Sequence, residues 1–452
     1  MDDFSPRGTV SVAPYVTVAK DAEILADGGG WRPQQILVVA LCFALNMLDG
    51  MDILIMSYIA PALSADWGMT PDRLGAVFSA GLAGMAVGGL AIAPLADRWG
   101  RRLLILASIV LMSVAMIASS FATDVAHLIA LRFVVGIGIG TVLASMAALT
   151  AEYAPPKHRI FAVAFLQAGY PIGAVITGFL VAAHIGDHGW RNMLLVAGIV
   201  SAVTVPFILF LLPESLEFLM KRQPKGALNK INRLRARFGQ PVLAVLPEAV
   251  AAPRSAIGLR GLFADGRLVP TLLIWLAISL CFMTMYFVIS WIPKLAIQAG
   301  LAPTDAIYAG AAYNVGAFVG MISIGLFPAL DLRKLIFGYL LAGGAALIAF
   351  GSLAMPVVAT LFVAFVIGVT VQGGFNGFYP FAANLYPASV RSTGIGWAMG
   401  VGRIGAVTGP LLGGWLMANN LPLPVIFTVF AVPMLLAGLC AVFNPARPDT
   451  QN

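Results

Sequence analysis

Charged residues are scarce in this sequence. Asp, Glu, Lys and Arg account for only 10% of its 452 residues, whereas 60% of the residues are hydrophobic. Soluble globular proteins carry roughly a quarter charged residues. Apolar runs long enough to cross a bilayer, which takes about 20 residues, recur along the whole chain. The scarcity of charge therefore excludes a soluble domain and predicts a polytopic helical membrane protein.

Cysteine and histidine are also rare, which limits the metal and redox chemistry that the chain can support. The three cysteines, Cys42, Cys281 and Cys440, lie in apolar runs and have no spacing typical of a metal site or a disulfide framework. His184 and His188 are four residues apart, but no third ligand is evident. We therefore expect no metal site and no cofactor.

Enzyme motifs are missing as well. The sequence shows no P-loop, no nucleophile triad, no zinc motif and no ATPase module. Intramembrane aspartyl proteases place two aspartates on different helices, whereas Asp49 and Asp52 lie three residues apart in a single apolar run. We therefore predict that the protein is not an enzyme.

The apolar runs predict twelve membrane spans in two groups of six. Spans 1 to 6 lie near residues 34–63, 73–95, 102–121, 125–151, 160–183 and 192–212. Spans 7 to 12 lie near residues 268–293, 305–328, 333–352, 356–385, 392–417 and 422–443. The predicted fold is all-α, with six-helix bundles over 32–212 and 268–443. A linker, 213–267, joins the bundles, and tails of residues 1–31 and 444–452 flank them.

The placement of Lys and Arg predicts the orientation in the membrane. Of the 27 basic residues, 22 fall in segments that share one side, and the loops of the other side keep only Arg73, Arg191 and Lys294. Because basic loops stay in the cytoplasm, we expect both termini to be cytoplasmic and the protein to lie in a bacterial inner membrane. The net charge of +7 then reflects topology and attraction to anionic membrane lipid. Nucleic acid is not needed as a partner.

The two halves are related by an internal repeat. Pro155 and Arg159 recur 232 residues later as Pro387 and Arg391, and the tetrapeptide Ile-Gly-Ala-Val recurs with the same offset. Repeated bundles imply a central site at their interface, which opens to each side in turn as the bundles rock.

The segment between spans 2 and 3, APLADRWGRR, resembles the loop 2–3 signature of the major facilitator superfamily, G-x-x-x-D-R-x-G-R-R. Ala93 replaces the first glycine, and the remaining positions match. The resemblance implies a charge latch between helix ends that favours one state of the rocking cycle. An exposed ion pair is worth roughly 0–1 kcal/mol, which is enough to bias a balanced equilibrium. The residues expected in this latch are Asp97, Arg98, Arg101, Arg102, Glu152 and Arg159.

Within the superfamily, the chain is similar to the aromatic acid:H⁺ symporters. The segment LDGMD in span 1 is similar to that family's D-G-x-D, and the similarity continues through RFVVGIGIG, PESLEFL, QGGFNGF and the glycine-rich span 11. It covers residues 32–443. The resemblance implies proton-coupled import of a small aromatic carboxylate by alternating access.

Four charged residues lie well inside the predicted spans: Asp49, Asp52, Arg132 and Arg403. The two aspartates share a helical face, and two like charges at low dielectric cannot both ionise easily. We therefore expect them to carry protons, with Arg132 tuning them. The alternative is a silent structural ion pair between these aspartates and Arg132.

Arg403 has no acidic residue within the spans of its own half, and the repeat places Pro171 opposite it. A buried guanidinium without an anion is costly. Its partner is either an aspartate that reaches across from span 1 or the carboxylate of a substrate. The other residues expected to bind substrate are Gln167, Tyr286, Tyr313, Asn314, Gln372, Asn376, Tyr379 and Trp397.

The sequence as a whole favours a monomeric symporter that binds an aromatic carboxylate, protons and membrane lipid. Two alternatives are a proton-coupled exporter of organic anions or drugs, and a sensor derived from a transporter.

Overall fold

The computed structural model describes residues 30–237, 241–246, 260–264, 266–327, 329–387 and 390–445. Most of the two predicted tails (1–29 and 446–452) and part of the predicted linker lie outside these ranges. All regular secondary structure in the described residues is helical, which confirms the predicted fold class.

The first half contains six helices, separated by short connections. They are α1 (Pro33–Trp67), α2 (Pro71–Val87), α3 (Ala96–Trp99), α4 (Arg101–Ser120), α5 (Val125–Tyr153) and α6 (Arg159–Leu211). A π-helical turn (Gly88–Ile92) and a 3-10 turn (Ala93–Leu95) join α2 to α3. Another 3-10 turn, Pro156–His158, precedes α6.

The linker contains short helices, and the second half contains six long ones. The linker contains α7 (Leu216–Arg222), α8 (Ala227–Arg237) and α9 (Arg260–Phe263). The second half contains α10 (Leu268–Gln298), α11 (Pro303–Ser323), α12 (Leu332–Ser352), α13 (Val357–Leu385), α14 (Arg391–Ala418) and α15 (Leu423–Val442). A 3-10 turn, Ile324–Leu326, follows α11.

Ten helical segments of the described chain are long and apolar enough to cross a membrane. One of them, Pro156–Leu211, has 56 residues, which suffices for two crossings of about 20 residues each. Spans 5 and 6 were expected as separate helices, and the helical chain does break between them, at Gly189, where φ is 72° and ψ is 170°. The helix α14 is not among the ten, but its 28 residues are also enough to cross. Each of the twelve predicted spans therefore corresponds to helical chain.

The helices of the two halves pack in equivalent pairs. In the first half α1 packs on α6 and α2 on α5, and in the second half α10 packs on α14 and α11 on α13. The halves meet where α14 packs on α2, α11 on α6 and α10 on α1. The central site predicted from the repeat therefore has helices of both halves around it.

Two close helix contacts repeat with the 232-residue offset of the sequence. A Cβ at Gly173 would overlap the carbonyl oxygen of Met47, and a Cβ at Gly405 would overlap that of Ser279. Both members of the second pair lie 232 residues after those of the first. Small residues let membrane helices approach this closely, so the repeat preserves the contact together with the residue that permits it.

Candidate functional site

A cavity of about 480 Å³ lies between the two halves. Helices α1, α2, α5 and α6 of the first half and α10, α11, α13 and α14 of the second contribute to its lining. Eight of the nine predicted substrate residues line it: Gln167, Tyr286, Tyr313, Asn314, Gln372, Asn376, Tyr379 and Arg403. The ninth, Trp397, does not. It is 41% exposed and stacks on Trp275, with ring centroids 6.2 Å apart.

The cavity extends toward one end of the molecule. We call this the basic end, because it carries Arg98, Arg101, Arg102, Lys157, Arg159, Arg333, Lys334 and Arg391. The lining reaches Ile160, which is 88% exposed, and Ile324, just beyond α11.

At the opposite end the halves are in contact. Trp291 of the second half packs edge-on against Phe78 of the first, with centroids 5.2 Å apart, and a hydrogen bond from its Nε1 to the carbonyl of Pro410 in its own half holds the ring in place. The ammonium of Lys294 donates to Ser64 Oγ at 3.0 Å, and Ser57 Oγ donates to the carbonyl of Ser290 at 2.9 Å. The cavity is thus accessible from the basic end and closed at the other.

Arg403 lies on α14 and faces aromatic side chains of α10. Its Nη1 donates to the hydroxyl of Tyr286 at 3.0 Å, and its Cζ lies 5.3 Å from the ring centroid of Phe282. Within the described chain no carboxylate lies within 4.0 Å of this guanidinium. Of the two partners considered above, the aspartate is therefore not in place, and the guanidinium is available to an anion in the cavity.

Several polar atoms around the cavity are buried and have no hydrogen-bond partner among the described residues. They are Asn46 Oδ1, both carboxylate oxygens of Asp49, Tyr170 Oη, Tyr313 Oη and Asn376 Nδ2. Buried polar groups without partners are rare in folded proteins. A cluster of them around one cavity is typical of a site that binds a polar ligand.

The two aspartates of α1 are both buried, with 1% exposure at Asp49 and 2% at Asp52. Asp49 lines the central cavity, whereas Asp52 lines a separate small cavity together with Arg132. Arg132 donates to Ser119 Oγ at 2.9 Å and to Met116 Sδ at 3.0 Å. Among the residues described, it has no carboxylate within 4.0 Å. A direct ion pair with either aspartate, the alternative considered above, is not formed.

Part of the predicted latch is assembled at the basic end of the first half. Arg101 contacts Glu152 at 2.7 Å and Glu217 at 2.9 Å, and Ser215 Oγ also donates to Glu152. Among the described residues, Arg98, Arg159 and the side chain of Asp97 make no ion pair. The carbonyl of Asp97 accepts a hydrogen bond from Arg222. The side chain of Arg102 donates to the carbonyl of Leu209.

Two acidic residues of the latch were missed, although their segment, PESLEFL, stands out in the sequence. Glu214 accepts the backbone N–H of Arg102 at 3.0 Å and so caps the start of α4. Glu217 belongs to α7. Burial opposes its ionisation, but Lys221 and Arg101 outweigh that effect and hold the pKa of this carboxyl below its ordinary value. The network ties the linker to the first half.

Sequence reasoning also missed the apolar lining of the central cavity. Met85 and Ala317 line it and are related by the 232-residue offset, as are Ile53 and Met285. Charge and polarity draw attention to none of them. The repeat could have identified them, because equivalent positions of the two halves face the same central cavity.

Residues 40–379 match the family model of the Major Facilitator Superfamily. The chain therefore belongs to this superfamily of membrane transporters. The predicted similarity to aromatic acid transporters within it is confirmed by curated relatives.

The chain is 31% identical to the gallate transporter of Pseudomonas putida, over 95% of this chain and 96% of that protein. It is 33% identical to the 4-hydroxybenzoate transporter PcaK of Pseudomonas aeruginosa, over 92% and 94%. These relatives are transporters, not enzymes, as the sequence predicts.

A solved structure supports the fold at lower identity. The inward open conformation of the xylose transporter XylE from E. coli superposes with a TM-score of 0.71 at 15% identity, over 92% of this chain and 98% of that one.

Proposed function

We propose that the protein imports a small aromatic carboxylate together with protons across the bacterial inner membrane. Both termini are then cytoplasmic, and the basic end of the molecule faces the cytoplasm. The observation that carries the proposal is Arg403, a cation without a carboxylate partner in the described chain, placed beside aromatic rings in a cavity between two repeated bundles.

The chemistry of the cavity fits an aromatic monocarboxylate. A guanidinium binds a carboxylate through two parallel hydrogen bonds. Phe282, Tyr286 and Phe375 line the same cavity and offer ring faces to an aromatic cargo. The hydroxyls of Tyr170 and Tyr313 add polar groups that suit ring substituents. Pockets of about 300–1,000 Å³ hold small molecules of this class, and this one has about 480 Å³.

Proton coupling would depend on Asp49 and Asp52. A carboxylate buried in a membrane span without a partner binds a proton more readily than one in water. Import of an anion with one proton is electroneutral, whereas a second proton would draw on the membrane potential at roughly 2.3 kcal/mol per charge per 100 mV. The protein would act as a monomer surrounded by lipid, with the basic linker facing anionic headgroups.

The direct test is proton flux in liposomes. The purified protein is reconstituted with a pH dye inside, a pH gradient is imposed, and aromatic acids are added one at a time. Saturable, acid-dependent proton entry restricted to a few acids supports symport and identifies the cargo. Weak acids cross bilayers unaided, so empty liposomes must respond much less.

Other outcomes of this assay would contradict the proposal. Proton flux opposite in direction to substrate flux would indicate an exporter. An absence of response to every acid, in vesicles shown to contain folded protein, would exclude an aromatic acid as the anion at Arg403 and leave the sensor as the alternative.

A further inference from the structure

Asp49 and Asp52 are one helical turn apart, yet they border different cavities. Asp49 lines the central cavity, and Asp52 lines a cavity of about 40 Å³ that we call the inner chamber. A cavity of this size can hold a water molecule. Both carboxylates are buried and lack hydrogen-bond partners among the residues described. Asp52 therefore borders a different cavity from the one that Asp49 borders.

An apolar wall separates the two cavities. Among the residues that the structure describes, only Ile53, Met85 and Ile139 line both cavities. None of the three has a side chain that can relay a proton through a hydrogen bond. A proton therefore cannot pass between the aspartates along this wall while the side chains stay in place.

The other wall of the inner chamber is part of the contact between the halves. Phe78 lines the chamber and packs on Trp291, while Ser290 lines it and accepts a hydrogen bond from Ser57 through its carbonyl. Both contacts belong to the closed end, opposite the basic end. Separation of the halves there would therefore open the chamber, and with it Asp52, to that side of the membrane.

Among the described residues, two charged groups lie close to Asp52. Arg132, from α5, lines the same chamber, and Asp49 lies one turn away on the same helix. Arg132 is held by Ser119 and Met116 of α4, so its charge stays beside the chamber.

We infer that the two aspartates act in series, an inference that rests on the proposed proton symport. Asp52 binds a proton when the end opposite the basic end is open, and Asp49 exchanges protons with the central cavity when the basic end is open. Between these steps the halves rock and the side chains of the wall move, so that the O–H bond of the Asp52 carboxyl breaks and an O–H bond forms on the Asp49 carboxylate. Asp52 then carries the negative charge, and no other bond changes. The apolar wall of Ile53, Met85 and Ile139 prevents uncoupled passage.

The test is to make the wall polar. Met85→Ser joins the two cavities, so liposomes containing this variant should leak protons severalfold faster than wild type in the absence of any substrate. Met321→Ser is the matched control, because Met321 lines the central cavity but not the inner chamber. The double variant Met85→Ser with Asp52→Asn should return the leak to the wild-type rate.

Two results would overturn the inference. One is a wild-type leak rate for Met85→Ser in vesicles that contain monodisperse, folded protein. The other is a raised leak that persists in the double variant, since protons would then pass without Asp52. If Met85→Ser does not fold, Ile139→Thr, which keeps a β-branched side chain, provides the same test. The leak assay contains no aromatic acid. Its result can therefore contradict the serial action of the aspartates while the proposed import stands, and the import assay can fail for every acid while the leak result is unchanged.

Discussion

Arg403 carries the proposed substrate site at the scale of single residues. Its guanidinium is held by Tyr286 and Phe282, which orient it without neutralising it. An aromatic carboxylate would supply the missing charge and a ring at the same place. The neighbouring hydroxyls of Tyr170 and Tyr313 have no partners in the described chain, so the site also offers hydrogen bonds to a second polar group.

Arg403→Ala should weaken binding of the aromatic acid selected in the liposome assay. Loss of a buried charge partner costs about 2 kcal/mol or more, which corresponds to at least roughly thirtyfold in affinity. Binding to the purified protein is measured by calorimetry. Arg391→Ala is the control, because Arg391 lies on the same helix but outside the cavity lining. Equal affinities for wild type and Arg403→Ala would remove this residue from the substrate site.

Asn replacements of Asp49 and Asp52 should separate coupling from binding. Neither amide can be protonated at neutral pH, so proton-driven accumulation of the acid should be lost in both variants. Exchange of labelled for unlabelled acid at equal concentrations on the two sides should persist. Asp187→Asn, at an exposed site in the same half, should behave as wild type. Accumulation at the wild-type level in Asp49→Asn would exclude that residue from coupling.

At this scale the buried charged residues could be predicted from the sequence, whereas the direction of an aromatic side chain could be predicted only relative to a known site residue on the same helix. Any ionised group in an apolar span stands out, and the four predicted from sequence all border a cavity between helices. Trp397 does not line the central cavity, because an aromatic ring in a span can face lipid, core or ligand. It lies six residues before Arg403, which places it about 120° around the helix from that residue. Helical geometry therefore argues against both facing the same cavity.

At the scale of helices, close packing depends on glycines at defined positions of α14. This helix has glycine at Gly405, where it meets the backbone of α10, and also at Gly396, where nothing lies within 4 Å. The two positions therefore differ in what an added methyl group would meet. Repetition of the Gly405 contact at Gly173 indicates that the packing is a requirement of the fold in both halves.

Gly405→Ala should destabilise the protein, because the new Cβ would overlap the carbonyl oxygen of Ser279 and force α10 and α14 apart. Overpacking of this kind costs typically about 1–3 kcal/mol. Gly396→Ala should be neutral or slightly stabilising, since alanine favours helix over glycine by about 0.5–1 kcal/mol. Thermal unfolding in detergent compares the two variants. Equal melting temperatures would mean that the helices adjust without cost.

The positions of the helices follow from periodic apolar runs, but their ends and bends depend on local details. Every predicted span corresponds to helical chain, because a bilayer leaves few other ways to satisfy backbone hydrogen bonds. The predicted break between spans 5 and 6 is present. It is confined to a single glycine outside the helical region, Gly189 with φ 72° and ψ 170°, and composition alone does not distinguish so short a break from a longer loop.

At the scale of the whole molecule, the two halves share a scaffold but differ in charge. The first half carries Asp49, Asp52 and Arg132, and the second carries Arg403. The repeat therefore supplies the packing, while proton and anion chemistry would be divided between the halves. The conformation could not be predicted from sequence. Phe78 and Trp291 close one end, but in the sequence they are indistinguishable from core residues. Their apolar pattern therefore does not show which end of the cavity is closed.

Lys294 is the basic residue at the contact that closes the end opposite the basic end, where it donates a hydrogen bond to Ser64 of the other half. This contact would be lost when that end opens, so Lys294→Ala should shift the equilibrium toward the open form. A loss of about 1 kcal/mol changes the ratio of the two forms roughly fivefold.

The measurement is labelling of Ser290→Cys, with the native cysteines replaced, by a membrane-impermeant maleimide added to that side. Arg191→Ala is the control, because Arg191 stacks on Trp190 within one half. Faster labelling confined to Lys294→Ala is expected. Equal rates in both variants would show that Lys294 does not hold this end closed.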